Sequence, residues 1–296
     1  MENARFSLLL DAFLEELLSD GRRSTTVENY RYLLREFIDF LAGLGCTGPA
    51  DVTESHIRQW MIHKRQQNLS EISVHNCYRI PRRFWRWCME NEFADRDPFL
   101  RVSCPQPKVQ IKRALTDEQI RALLKACEGK HWTRKRDRAI VLFLLGTGLR
   151  LTEAQALTVA DSKQQSVLVR HGKHGKQRIV PVPSQARLAI MKYLIACPFQ
   201  PVDKDPLWWG MRGALTRDGF QQVVRDIGER AGLKLGPHMF RHTFATRMLA
   251  AGASMEHVRL LMGHSDYTVL RNYLHLVERD LQETVQKFNP LNKLRW

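Results

Sequence analysis

The chain has 296 residues, enough to bury one or two substantial cores. Its 44% hydrophobic and 26% charged content fits a globular protein and excludes a disordered or fibrous one. A formal charge of +15 points to a polyanionic partner, and no run of about 18 uninterrupted apolar residues offers a membrane span.

Phe6, Leu9, Leu10, Phe13, Leu14 and Leu17 recur at helical spacing, with Asp11, Glu15 and Glu16 between them. That pattern predicts an amphipathic first helix rather than a signal peptide. Thr25 and Glu28 then stand at capping-box spacing, ahead of Val27, Tyr30, Leu34, Phe37 and Leu41. Gly43, Gly45, Gly48 and Pro49 end this second helix. Further helices are expected over 54–67 and 73–91. Pro81 falls inside the last of these and should kink or split it. On that helix Arg79, Arg82, Arg83 and Arg86 occupy positions i, i+3, i+4 and i+7, so they share a face. With no acid between them they repel one another unless an anion intervenes, which makes them candidate phosphate ligands.

Asp97 to Lys108 lacks periodicity and carries Pro98, Pro105 and Pro107, the composition of a linker. The expected organisation is a helical domain over 1–103, a linker over 104–113 and a second domain over 114–296. Charge divides near the same place. Residues 1–106 hold 14 basic and 15 acidic side chains, net −1, whereas 107–296 hold 32 and 16, net +16. The six cysteines are scattered without a CxxC pair and read as reduced thiols of a cytoplasmic protein.

The second domain opens with a helix start at Thr116-Asp117-Glu118 and stays mainly helical. The exception is 166–182, where strand-like segments flank His171-Gly172-Lys173-His174-Gly175-Lys176, a basic β-hairpin loop. Its Gly-Lys pattern is not a phosphate-binding P-loop, because Gln177 stands where Ser or Thr is required. The fold expected is therefore mainly α with a small β-hairpin, in two domains.

Four segments carry the chemistry. Gly146-Thr147-Gly148-Leu149-Arg150 places an arginine at a glycine-marked break after an apolar helix, and Glu153 follows three residues on. The basic hairpin offers Lys173 and Lys176. His238-Met239-Phe240-Arg241-His242 follows Pro237, and Gly263-His264 precedes Tyr273 by nine residues counted from His264. Each segment also has a plainer reading. Arg150 could cap the preceding helix, Glu153 could make a structural ion pair, and His238 with His242 could pair on a metal, although no carboxylate lies between them as in HExxH.

In this order the segments resemble the catalytic set of the tyrosine recombinase family: an arginine after Gly-Leu, a hairpin lysine, His-x-x-Arg, Gly-His and a late tyrosine. The likeness extends over nearly the whole chain, since residues 1–103 resemble that family's helical core-binding domain, and the compact layout looks most like Xer-type or small transposon and plasmid recombinases. The resemblance implies a mixed α/β catalytic domain over 114–296. Tyr273 would be the nucleophile, preferred to Tyr267 by its spacing from His264, and Arg150 and Arg241 would neutralise the phosphate. His238 and His264 would accept a proton or hydrogen-bond the phosphate. Lys173, which follows the first glycine of the loop, would protonate the leaving 5′-oxygen, with Lys176 as its competitor and a DNA contact. Linkage through phosphotyrosine conserves the bond, so no cofactor, metal or ATP is implied. The implied partners are double-stranded DNA bearing specific recombination sites, further copies forming a tetramer on paired sites, and a second recombinase or accessory protein, with no membrane. The amphipathic tail over Glu278, Leu281, Val285 and Phe288 would pack on its own domain by the plain reading, whereas the resemblance implies docking on a neighbouring copy. The competing functions are a type IB topoisomerase and a non-catalytic DNA-binding regulator on the same scaffold.

Overall fold

In the computed structural model, residues 4–107, 114–170, 177–236 and 238–263 are described, and the chain divides into two compact units, 1–110 and 111–296. Among the described residues, no helix is long and apolar enough to cross a membrane.

The first unit is helical: α1 (Ala4–Ser19), α2 (Ser24–Gly43), α3 (Glu54–Gln66) and α4 (Glu71–Glu90). The helical repeat of apolar residues turns one stripe of each helix inward, so Phe6, Phe13, Leu34, Phe37, Ile57, Trp60, Phe84 and Trp85 meet in one core. Helix α2 begins one residue ahead of the expected cap. The N–H groups of Thr26 and Val27 both reach the Arg23 carbonyl, at 2.8 and 3.1 Å, so Thr25 and Glu28 lie inside the helix.

Helix α4 runs unbroken through Pro81, contrary to the expected split. A proline lacks the N–H that would bond the carbonyl four residues back, here that of Cys77. The buried indole of Trp60, on α3, donates to that carbonyl at 2.8 Å. The orphaned acceptor is satisfied from a neighbouring helix, and the main objection to an interior proline is removed.

The second unit holds α5 (Asp117–Ala126), α6 (Trp132–Thr147), α7 (Leu151–Gln155), α8 (Val159–Lys163), the antiparallel pair β1 (Ser166–Val169) and β2 (Arg178–Pro181), and α9 (Ser184–Ala196). Then come a second pair, β3 (Trp209–Gly210) with β4 (Gly213–Ala214), and the helices α10 (Arg217–Arg230), α11 (Met239–Ala250) and α12 (Met255–Met262). The β3–β4 hairpin was not expected from the sequence, because strands of two residues are too short to show alternation. Thr116 caps α5 by accepting the Gln119 N–H.

Helix α6 is the centre of this unit. Ala139, Ile140, Val141, Phe143 and Leu144 are buried against Ala186, Ile190 and Tyr193 of α9 and the inward strand residues Val167 and Val180. A smaller cluster of Ala245, Leu249, Val258 and Met262 packs α11 against α12. All six cysteines are free thiols, and burial pushes Cys88 up to about 12 and Cys127 up to about 11, so both are packing residues rather than nucleophiles.

Candidate active site

The α6–α7 turn is shaped by Gly148. It ends α6 in the left-handed conformation, φ +62°, and its N–H closes on the Leu144 carbonyl at 3.0 Å. A Cβ there would collide with the ring of Phe244 on α11, so the position demands glycine twice over, by conformation and by space. The chain then turns outward, with Leu149 buried and Arg150 extended as the residue preceding α7. Arg150 stands at the N-terminal boundary of α7 rather than over the end of α6. Its backbone N–H donates to Glu153 Oε2 at 2.9 Å, and its Nη1 lies 2.7 Å from Glu153 Oε1.

Glu153 is held from the other side as well. Arg178, at the start of β2, meets it with both terminal guanidinium nitrogens, Nη2 to Oε2 at 2.7 Å and Nη1 to Oε1 at 3.1 Å. The Glu153 side chain is only 6% exposed. Burial alone would push its carboxyl up, but the hydrogen bonds from Arg178 and from the Arg150 N–H, with the charge of Arg178, outweigh burial and bring it down to about 2. It is a carboxylate at every working pH. The ion pair expected of Glu153 is thus present, and a second arginine, which the sequence reading does not place there, completes it.

Arg178 does more than pair. Its Nε donates to the Leu261 carbonyl at 2.8 Å, near the end of α12. Gly263 ends that helix at φ +62°, and a Cβ on it would lie 2.9 Å from Arg178 Cδ and Nη1. A signal for this role exists in the sequence. Period-two alternation puts Arg178 on the same face of β2 as the buried Val180, and a charge on a core face needs a partner.

Arg241 sits in the first turn of α11 and is buried. Its Nη1 donates to the Gly148 carbonyl at 2.9 Å and its Nη2 to the Met262 carbonyl. Both acceptors lie at helix C-termini, the negative ends of the dipoles of α6 and α12, where a cation is favoured. Arg241 therefore ties the end of α12 to the turn that presents Arg150. His238 immediately precedes α11 and is exposed, three residues before Arg241. Lys173, Lys176, His264 and Tyr273 lie outside the described residues, as does the tail. The described chain resumes just after the hairpin loop, at Gln177, and stops at Gly263, one residue before His264.

In the first unit, Arg79, Arg82, Arg83 and Arg86 line a single cleft of about 590 Å³. The expected shared face is therefore present, but acids join it: Glu16 and Asp20 from outside α4, and Glu90, four residues after Arg86 at the end of α4, line the same cleft. Arg82 and Arg83 lie half-buried, their guanidinium carbons 5.9 and 5.7 Å from the ring centres of Tyr78 and Tyr30, while Arg79 and Arg86 are exposed.

The sequence pattern of the phage integrase family matches residues 113–279, and that of its N-terminal SAM-like domain matches residues 9–95. Tyrosine recombinase XerD of Shewanella oneidensis is 30% identical over 95% of this chain and 96% of its own length. Tyrosine recombinase XerC of Oceanobacillus iheyensis is 31% identical over 97% of each. Among solved structures, the Tn1549 transposon integrase in complex with transposon right-end DNA superposes with a TM-score of 0.73 at 20% identity, covering 94% of this chain and 99% of that one. A lambda integrase from a tetramer bound to a Holliday junction gives 0.71 at 16% identity, covering 90% and 79%. The fold is that of the two-domain DNA strand transferases. The chain belongs to the phage integrase family and is a tyrosine recombinase, an enzyme of site-specific recombination.

Proposed function

We propose that this recombinase cuts and rejoins double-stranded DNA at specific sites through a 3′-phosphotyrosyl intermediate at Tyr273. The observation that carries the residue assignment is the arrangement around Gly148: Arg241 grips its carbonyl, and Arg150 follows two residues later on Glu153. Two fixed guanidinium groups suit a phosphate whose nonbridging oxygens gain charge as a fifth bond forms. The Tyr273 hydroxyl, with an ordinary pKa of about 10, gives its proton to His238 or His264 as its oxygen attacks phosphorus. The bond to the 5′-oxygen breaks, and that oxygen takes a proton from Lys173. Attack by a 5′-hydroxyl of the partner duplex on the phosphotyrosine reverses these steps. One bond replaces another throughout, so the residues as assigned need no ATP and no metal.

Two such exchanges, through a Holliday junction, complete recombination between two sites. Four copies share the work, with a second recombinase or an accessory protein admitted. The enzyme acts in the cytoplasm, where its DNA is found. The Xer relatives and the DNA-bound integrases support this reading. The topoisomerase alternative is disfavoured because the matches include an N-terminal SAM-like domain of integrases.

The test is trapping. Wild-type protein on a nicked suicide substrate should give an SDS-stable adduct through a 3′-phosphotyrosine, in equal yield with and without EDTA. DNA carrying two sites should assemble a four-subunit complex cooperatively. Absence of the adduct on DNA that the protein demonstrably binds would remove the strand-transfer reading.

The α4 arginines supply part of the DNA affinity in this proposal. Neutralising Arg79, Arg82, Arg83 and Arg86 together should weaken binding and flatten the plot of log affinity against log salt. The slope should fall by about 0.9 for each phosphate no longer neutralised by the protein. Arg79→Ala with Arg86→Ala alone should account for most of the change, since Arg82 and Arg83 stack on tyrosine rings. An unaltered slope in the fourfold variant would show that this face does not meet DNA.

A further inference from the structure

We infer that Arg178 is a positioning residue for phosphate activation, holding Glu153 so that Glu153 in turn fixes the Arg150 guanidinium. The inference rests on the assignment of Arg150 to the scissile phosphate.

An arginine that served only to fill space would not need its hydrogen-bonding groups. The Arg178 side chain is only 10% exposed and spends three donors on two partners that lie on different segments. Two donors form a parallel fork on the Glu153 carboxylate, the geometry that fixes a carboxylate in plane as well as in position. Each Glu153 oxygen is then shared. Oε1 takes Arg178 Nη1 and Arg150 Nη1, while Oε2 takes Arg178 Nη2 and the Arg150 backbone N–H. Without Arg178 the carboxylate keeps its bonds to Arg150 but not those that define its plane. Arg150, whose side chain is 23% exposed, then has only a movable anchor. The third donor, on the Leu261 carbonyl, attaches the same guanidinium to the segment that leads into Gly263 and His264. Arg178 also stands five residues after Lys173 in the chain. One side chain thus links three stretches that bear proposed catalytic groups.

A lysine at this position would keep the charge but could not form the fork and reach Leu261 together. Loss of the partner that orients a metal ligand costs about 10–100-fold in activity, and a loss of similar size is expected for the partner that orients Arg150. The discriminating substrate is one in which methyl replaces a nonbridging oxygen at the scissile phosphate. A methylphosphonate carries no negative charge there, so it depends far less on a well-placed Arg150. Arg178→Lys and Arg150→Ala should both cleave ordinary DNA much more slowly than wild type. On the methylphosphonate both deficits should shrink, to about threefold for Arg178→Lys. A misfolded or loosened protein would instead be slowed equally on both substrates.

Should Arg178→Lys fail to fold, Arg178→Gln takes its place, since it leaves Glu153 and Arg150 untouched and keeps an amide donor for the carboxylate. Melting temperatures accompany each measurement. Narrowing for both Arg150→Ala and the Arg178 variant supports the inference. Narrowing for Arg150→Ala alone overturns it, leaving Arg178 a structural residue. Narrowing for neither overturns the assignment of Arg150 itself, and the inference with it.

Discussion

Tyr273→Phe is expected to bind recombination-site DNA as wild type does and to form no covalent adduct at all. The substitution removes one hydroxyl and keeps the ring, so packing around it changes little. Affinity should also survive, because it comes from cations on phosphates, and the chain retains its charge of +15. Chemistry should not survive, since no other group in the proposed set can form a phosphodiester with the 3′ end. The readout is SDS-stable adduct on a nicked suicide substrate, measured beside a binding titration on the same DNA. Tyr267→Phe is the control and should give normal adduct, because Tyr267 stands three residues from His264 rather than nine. An adduct of normal yield from Tyr273→Phe would move the nucleophile elsewhere in the chain.

What could be read from the sequence was whatever depends on neighbours three or four residues away. The apolar stripes of α1 and α2, the cap at Thr116 and the break at Gly148 are local features, and each is found at its expected place. Two departures are local, the cap of α2 falling ahead of Thr25 and the β3–β4 strands being too short to alternate, and the rest involve a partner distant in sequence. Pro81 leaves the Cys77 carbonyl without its helical donor, and the donor that replaces it, Trp60, lies 17 residues from Cys77. Of the acids beside the four arginines of α4, Glu16 and Asp20 come from elsewhere in the chain, whereas Glu90, four residues after Arg86, continues the same face and was legible. Arg178 passed as an ordinary strand residue because Glu153 is 25 positions away, although the inward face of β2 was a clue. The meeting of Arg241 with Gly148 spans 93 positions, and no spacing rule could place it. Only the resemblance to a family put those two segments in one site.

The second large effect should come from Arg241, and it should appear in stability and in catalysis at once. The residue is 5% exposed, and its guanidinium joins two helix ends through the carbonyls of Gly148 and Met262. Arg241→Ala strips those carbonyls of a charged donor inside the fold, a loss of about 2–4 kcal/mol. It also removes one of the two fixed charges proposed for the phosphate, which should slow strand cleavage by on the order of 10³-fold. Arg241→Lys separates the two consequences. A single ammonium restores charge and satisfies one carbonyl, so most of the stability should return, with a deficit of about 1 kcal/mol. It lacks the five N–H donors that let a guanidinium hold both carbonyls and still offer a donor to a phosphate oxygen, so cleavage should stay on the order of 10²-fold slow. Thermal melting and single-turnover cleavage of the suicide substrate, taken on both variants, give the two numbers independently. If Arg241→Lys regained the wild-type cleavage rate along with its stability, positive charge alone would suffice at this position. The need for those donors, and with it the catalytic role argued for a guanidinium here, would have to be abandoned.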